Sequence, residues 1–364
     1  MVIAIDASRA VNESAGIGRY TQELVRHLLQ IGSKHHFILI FTYWRANEDK
    51  EKIIKSFQGK NVEIRRASIP GAMKETLWRK KSSLFNQLYR GADVVLAPSF
   101  LEFKRGLKIP QVTVVHDMAT FLFPSQRGKA VSKRLSDQTS MAIEGSKKVI
   151  AISENTKKDV IKVCQVESQK IKIIYPGLTE FDKIAENLPK GLCSKKYILF
   201  VGTIEPRKNL KNLLTAYGLL PTAIKDKYPL VVAGAIGWNT DNIEKNNQIK
   251  YLGRVPDEVL AKLYQEAAVF VYPSLYEGFG LPILEAMAMG TPVVTSNRSS
   301  MPEAAGTAGV LTNPDELKSI SAGLQAVLEG KFNHNQMQKA GLEQAQKFSW
   351  GKCAREVLEL MERV

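Results

Sequence analysis

Apolar and polar positions in this chain follow two regimes that alternate along its length. Short runs dominated by Val, Ile, Leu and Phe, at Val2–Asp6, Phe37–Phe41, Val62–Arg65, Val94–Ala97, Val112–His116 and Val149–Ile152, have the length and composition of strands. Helix-length amphipathic segments separate them, near Gly18–Ile31, Lys74–Arg90, Lys129–Gly145 and Glu154–Val163. This alternation predicts an α/β protein with a mostly parallel sheet covered on both faces. Residues 177–195, GLTEFDKIAENLPKGLCSK, are polar and aperiodic and read as a linker. The pattern then restarts, with strands at Tyr197–Gly202, Leu230–Ala233, Ile249–Leu252, Val269–Tyr272 and Val293–Thr295 and helices near Asn209–Leu219, Asp257–Glu266 and Pro282–Met289. Two doubly wound domains are therefore expected, 1–176 and 196–346. The last segment, 347–364, is an amphipathic helix expected to pack back onto the first domain. A short echo, ADVVLAPSF at 92–100 and AAVFVYPSL at 267–275, supports two related halves. Ligands of such sheets bind outside the carboxyl ends of the strands, so the functional cleft is expected between the halves.

Composition narrows the class. A chain of 364 residues with 44% hydrophobic and 24% charged residues has material for two cores and no signature of disorder. Its apolar runs fall far short of the roughly 20 residues that span a bilayer. The opening MVIAIDAS reads as a first strand and not as a signal peptide. Cys164, Cys193 and Cys353 have neither metal nor redox spacing, which points to a reducing cytoplasm. The net charge of +15 is unevenly spread: residues 1–190 carry 32 Lys and Arg against 19 Asp and Glu, residues 191–364 carry 19 against 17. The asymmetry suggests an anionic partner for the first half, whether nucleic acid, an acidic membrane surface or a phosphorylated acceptor.

Four stretches carry candidate chemistry. In YEGFGLPILEAMAMGTPVV, 276–294, Pro282 suits the first helical position and Gly290 with Pro292 ends the helix. The free N–H groups near Gly280 and Leu281 then form an anion site suited to phosphate. Glu277 precedes the Gly278-Phe279-Gly280 turn and Glu285 lies about one turn inside the helix. A carboxylate beside a bound phosphate is repelled, so both are expected to accept from hydroxyls. A nucleoside diphosphate sugar, with phosphates in the middle and polyols at both ends, meets these demands. In FVGTIEPRKN, 200–209, a buried strand ends at Gly202, and Arg207 and Lys208 stand ready to neutralise a diphosphate leaving group. In SAGIGRYTQEL, 14–24, Gly16 and Gly18 permit close approach to the backbone but do not complete the dinucleotide pattern. In VTVVHDM, 112–118, His116 and Asp117 follow a strand and so lie at its carboxyl end.

Taken in order, GIGRY, the His116–Asp117 pair, ISENTKKDV at 152–160, IIYPG at 173–177, GTIEPRKN, and Glu277 with Glu285 at E-x7-E spacing resemble the family 4 retaining glycosyltransferases over nearly the whole chain. The resemblance implies the GT-B fold of two Rossmann-like domains facing a central cleft, the first binding acceptor and the second a nucleotide sugar. It implies that Arg207 and Lys208 bind the diphosphate, that Glu285 meets the ribose, and that Glu277 with the Gly278–Leu281 backbone holds donor sugar and phosphates. His116 and Gly16 would lie at the reacting sugar, and Val255, in the loop 253–255, near the base. One departure is Thr203, where many relatives carry Arg, which shifts phosphate charge onto Arg207 and Lys208. The overall look resembles bacterial mannosyltransferases of lipopolysaccharide, O-antigen or capsule assembly.

The family is discussed in terms of front-face attack with no protein nucleophile. No D-x-D pair occurs in the sequence, so metal independence is expected. The rivals are a nucleotide-sugar epimerase of the same fold and a nucleic-acid-binding protein using the basic first half. The latter needs aromatic platforms or a recognition motif that are not evident, so no nucleic acid is expected as a partner. The segment 73–90, MKETLWRKKSSLFNQLYR, places Arg79, Lys80 and Lys81 beside Leu77, Trp78, Leu84, Phe85, Leu88 and Tyr89. It predicts peripheral binding at the inner face of an anionic membrane, where a glycan or lipid-diphosphate-linked acceptor would be met.

Overall fold

The computed structural model describes residues 1–13, 16–70, 73, 83–124, 128–235, 237 and 248–364. Arg79, Lys80 and Lys81, with Leu77 and Trp78, lie outside the described residues, and only the helix Ser83–Leu88 belongs to the segment predicted near Lys74–Arg90. The chain divides into two compact units, one comprising Met1–Pro124, Gly128–Gly177 and Ser349–Val364, the other Leu178–Phe348.

The first unit is built on a seven-stranded sheet. Its strands are β1 (Val2–Asp6), β2 (His36–Tyr43), β3 (Val62–Ser68), β4 (Val94–Ala97), β5 (Gln111–Val115), β6 (Lys148–Ala151) and β7 (Ile171–Ile173), in spatial order β3-β2-β1-β4-β5-β6-β7. All pair in parallel. The second unit repeats the scheme in a six-stranded parallel sheet, β8 (Ile198–Val201), β9 (Leu230–Ala233), β10 (Ile249–Gly253), β11 (Val269–Tyr272), β12 (Val293–Ser296) and β13 (Val310–Thr312), in order β10-β9-β8-β11-β12-β13. Central strands such as β4, β8 and β11 are buried at every position. Helices cover both faces of such a sheet, which is why these strands read as unbroken apolar runs. The three-residue strands β7 and β13 are too short to stand out by pattern. In each sheet the order reverses between the first and fourth strands, β1/β4 and β8/β11, leaving a crevice at their carboxyl ends.

Two expectations about boundaries change. Residues 178–195 belong to the second unit, tied to it where Ala185 N–H donates to the Glu258 carbonyl and Lys195 N–H to that of Glu266. They are polar because their backbone is satisfied at a surface, not because they hang between domains. The helix near 282 starts at Leu281, placing Pro282 within its first turn. The helix Trp350–Glu362 lies in the first unit against the helix Ile17–Ile31, with the Trp350 ring 5.2 Å from Tyr20 in an edge arrangement.

The carboxyl ends of β1 and β4 are joined by buried charge. Asp6 and Lys104 pair at 2.8 Å with side chains 0% and 2% exposed. Tyr89 donates its hydroxyl to Asp6 at 2.9 Å, Ser8 N–H donates to Asp6 at 3.1 Å, and the Lys104 ammonium donates to the Glu102 carbonyl at 2.8 Å. Two ions out of water are tolerated when each is paired and its remaining hydrogen-bonding capacity is used. Lys104→Met should therefore destabilise the protein by about 3–5 kcal/mol by stranding Asp6. Adding Asp6→Asn in the same chain should recover part of that loss, a coupling measured by urea unfolding of the single and double variants.

Candidate functional site

In the second unit the turn after β8 forms a short helix, Pro206–Lys208, that ends at Asn209 with φ 61. Asn209 holds this left-handed position because its side-chain amide donates to the carbonyls of Pro273 and Pro314, at 3.1 and 2.7 Å. The turn after β11 is stitched to it where Leu275 N–H donates to the Arg207 carbonyl at 2.8 Å. Between these loops Glu277, 6% exposed, divides its carboxylate. Oε2 takes the Arg207 guanidinium at 2.7 Å, while Oε1 takes the Lys208 ammonium at 2.6 Å and the Tyr272 hydroxyl at 3.0 Å. Lys208 also donates to the Tyr272 oxygen at 2.6 Å, and Arg207 contacts Glu205 through Nε.

Burial alone would raise the Glu277 carboxyl, but Arg207 and then Lys208 overcome it and hold the group at about 2. Burial lowers Lys208 from its ordinary value, with Glu277 opposing. Tyr272 is pushed well above its ordinary value by burial and by the Glu277 charge, so it remains a hydroxyl donor. The backbone of Glu277 is pinned as well. Its carbonyl accepts from the hydroxyls of Ser299 and Ser300 at 2.8 and 2.9 Å, and Ser299 takes a left-handed φ of 54 to do so.

The helix Leu281–Ala288 follows directly. Gly280, its N-cap, has φ 107, a conformation that side-chain-bearing residues avoid, and its first N–H groups have no intrahelical acceptors. Gly278 and Phe279 are buried in the same turn, with the Phe279 ring 5.1 Å from that of Phe348. Glu285 is half-buried on the helix and accepts from the Tyr264 hydroxyl at 2.9 Å, in a setting distinct from that of Glu277. Gly202 directly follows β8, and a Cβ there would come within 3.9 Å of the Lys208 side chain. Val255 is half-buried in the turn after β10.

In the first unit His116 and Asp117 sit just past β5. A backbone carbonyl only accepts, so the 2.7 Å contact of His116 Nε2 with the Pro98 carbonyl places a proton on Nε2. Burial lowers the ring from its ordinary value, against the raising influence of that carbonyl, Asp117 and Glu102, which leaves a neutral imidazole with Nδ1 as acceptor. Tyr20 packs edge-on to it with centroids 4.6 Å apart. Asp117 accepts from Ala119 N–H at 2.9 Å and so starts the next turn. Gly16 and Gly18 separate in role. Gly16 has φ 56 with open space where a Cβ would stand, whereas a Cβ on Gly18 would collide with the Glu13 backbone carbonyl. Glycine at 18 is demanded by the chain's own packing. Glu205, Tyr264, Tyr272, Ser299 and Ser300 escaped the sequence reading because each serves a functional side chain through folding, at no motif spacing.

Two family models cover most of the chain: "Glycosyltransferase Family 4" over residues 14–179 and "Glycosyl transferases group 1" over 184–345. An "O-antigen chain mannosyltransferase B" of Escherichia coli is 36% identical over 262 residues, 68% of each chain. The chain belongs to the family 4 glycosyltransferases. The fold of this glycosyltransferase matches sucrose-phosphate synthase from Thermosynechococcus elongatus with TM-score 0.76 at 19% identity, covering 100% of this chain and 98% of that one. It also matches WaaG, a glycosyltransferase involved in lipopolysaccharide biosynthesis, with TM-score 0.72 at 16% identity over 99% of both. The two parallel-sheet units are thus those of the GT-B fold.

Because Glu277 is ionised far below its ordinary 4.5, its ion pairs stabilise the folded glycosyltransferase fully above pH 4.5. That contribution, about 3 kcal/mol, is lost as pH falls toward 2. Glu277→Gln should accordingly cost most near neutrality and progressively less below pH 4.5. Urea unfolding of both proteins across that range checks this; a penalty independent of pH would contradict it.

Proposed function

We propose that this glycosyltransferase moves a hexose, mannose from GDP-mannose as the best assignment, with retention of configuration, onto a glycan or lipid-diphosphate-linked acceptor of a bacterial surface polysaccharide. The observation that carries the reading is the pair of cations, half-buried Arg207 and buried Lys208, presented just past the carboxyl end of β8 next to an open helix N-terminus. The names of the O-antigen mannosyltransferase relative and of WaaG support the sugar and the pathway.

The second unit takes the donor. Its diphosphate draws on Arg207, Lys208 and the N–H groups after Gly280, Glu285 accepts from ribose hydroxyls, and Val255 lies toward the base. The first unit takes the acceptor and also supplies His116, Asp117 and Gly16 toward the reacting donor sugar. The bond from the anomeric carbon to the diphosphate oxygen breaks, the acceptor oxygen bonds the same face, and the acceptor proton passes to the leaving diphosphate. Charge develops on that diphosphate, so preorganised cations there lower the barrier, each worth about 3–4 kcal/mol. The same two cations stand in for a divalent ion, and activity is expected to persist in excess chelator. The first half's basic excess, with Arg79, Lys80 and Lys81, is assigned to peripheral contact with an anionic membrane. No helix among the described residues is long and apolar enough to cross one.

Release of nucleoside diphosphate should depend on acceptor, which separates a transferase from an epimerase. Arg207→Ala and Lys208→Ala should each lower turnover by two to three orders of magnitude, measured at a temperature where the variant is folded, because each also leaves buried Glu277 short of a partner and lowers the melting temperature. Wild-type turnover in either variant removes the role. A thermal-shift panel of nucleoside diphosphates reads out the base, because the bound form is stabilised by mass action. Co-sedimentation should occur with anionic but not neutral vesicles and weaken on charge reversal at Arg79, Lys80 and Lys81; equal binding to both would leave membrane contact unsupported.

A further inference from the structure

The echo between the halves runs further than its strands. After β4 the chain reads Pro98-Ser99-Phe100-Leu101-Glu102, and after β11 it reads Pro273-Ser274-Leu275-Tyr276-Glu277, so each unit sets a glutamate three residues beyond a Pro-Ser pair at the same point of its sheet. Both glutamates are buried, Glu102 at 0% and Glu277 at 6% exposed. Both are met by a cation from the short helix that follows the neighbouring central strand. In the second unit these are Arg207 and Lys208, after β8; in the first it is Arg9, after β1, whose Nε donates to Glu102 Oε1 at 3.1 Å. The Arg9–Glu102 pair thus bridges the strand-order reversal of the first sheet as the Arg207–Glu277 pair bridges that of the second.

The surroundings of Arg9 are built with care. Ser99 donates to Glu102 Oε2 at 2.5 Å, which uses the carboxylate's other oxygen. Arg9 Nη1 contacts Glu13, whose backbone carbonyl is seated against Gly18. Nη2 is left with no partner among the described residues, and the Arg9 and Glu13 side chains are 19% and 36% exposed. His116 donates to the carbonyl of Pro98, next to Ser99, and so stands at the same strand ends.

The two clusters differ in charge. In the second unit two cations face two carboxylates, Glu205 and Glu277, whereas in the first Arg9 faces Glu13 and Glu102 while Lys104, which also reaches the Glu102 carbonyl, is balanced by Asp6. A ligand bearing phosphate gains from the former and is repelled by the latter, while uncharged hydroxyls donate to carboxylates and accept from a guanidinium.

We propose that Arg9, clamped between Glu102 and Glu13, is the docking point for an uncharged sugar, so that the acceptor enters with a neutral polyol end and not with a phosphate or uronate. The assignment of the first unit to the acceptor rests on the function proposed above; the neutral-sugar site itself does not require it.

Binding to the full-length protein, followed by ligand-observed NMR, tests the site without turnover. The probes are a neutral hexose disaccharide, the same disaccharide carrying a 6-phosphate, and its uronate. The neutral probe should bind, and each anionic one at least about tenfold more weakly. Glu13→Gln, on a partly exposed side chain, should narrow that gap severalfold. Arg9→Gln should weaken the neutral probe about tenfold, while both variants keep wild-type affinity for nucleoside diphosphate and a wild-type urea-unfolding transition, which reports that the first unit is folded. Tighter binding of the phosphorylated probe, no binding of any probe, or a charge preference unmoved by Glu13→Gln overturns the proposal. Transfer assays that fail while the binding pattern holds would sink the reaction and leave the site standing.

Discussion

A carboxylate cannot be buried alone, and the second unit is organised around that constraint at Glu277. The 2.7 and 2.6 Å contacts to Arg207 and Lys208 satisfy the charge, but they also fix two loops that leave different strands. Once Glu277 is held, the turn after it can reach the left-handed Gly280 and start a helix whose open N–H groups face the same crevice. The left-handed Asn209 and Ser299, each tied into these loops by hydrogen bonds, are local costs offset by that framework. The two cations are thereby preorganised by an internal anion, so that under the proposed function they need not be ordered when a diphosphate arrives.

The first unit solves the same problem with other residues. Asp6–Lys104 lies deep and carries the structural load, while Arg9–Glu102 lies nearer solvent at the same strand ends. Lys104 links the two layers through the Glu102 carbonyl. Separating a sealed pair from a partly open one lets the crevice keep a reactive surface without making the fold depend on it, since removing one partner of a sealed pair is the more damaging event.

The alternation of strands and helices was legible because both sheets are covered on both faces, which makes central strands continuous apolar runs. Glu277, Arg207 and Lys208 could each be singled out because glycines and Pro282 mark a helix start beside charges, but their ion pairing with one another could not. Other features were hidden for physical reasons. Glu102 and Arg9 stand 93 residues apart and meet only through the parallel pairing of β1 with β4, so no local spacing announces them. Gly18 looked like a backbone prepared for a ligand, yet it makes room for Glu13. The segment 178–195 looked like a linker because a polar surface stretch satisfied by scattered backbone bonds has no period to detect. The repeated Pro-Ser pair was visible, but the glutamate three residues on gained meaning only when both partners were seen at equivalent points of the two sheets.

The first half's basic excess and the acidic balance around Arg9 act over different distances, which resolves their apparent conflict. Several exposed cations of the first unit are already matched, Arg65 by Glu63, Arg66 by Glu51 and Arg26 by Glu23, and such surface pairs contribute little to stability. What remains is a diffuse positive field, screened over about 8–10 Å at physiological salt, suited to an extended anionic surface and indifferent to detail. Glu13 and Glu102 act on Arg9 at contact range, and Glu102 is fully buried, where charge is felt far more strongly than in water. The proposed contact with an anionic surface and the proposed choice of an uncharged group at the strand ends are therefore compatible, because the first acts at long range and the second at contact.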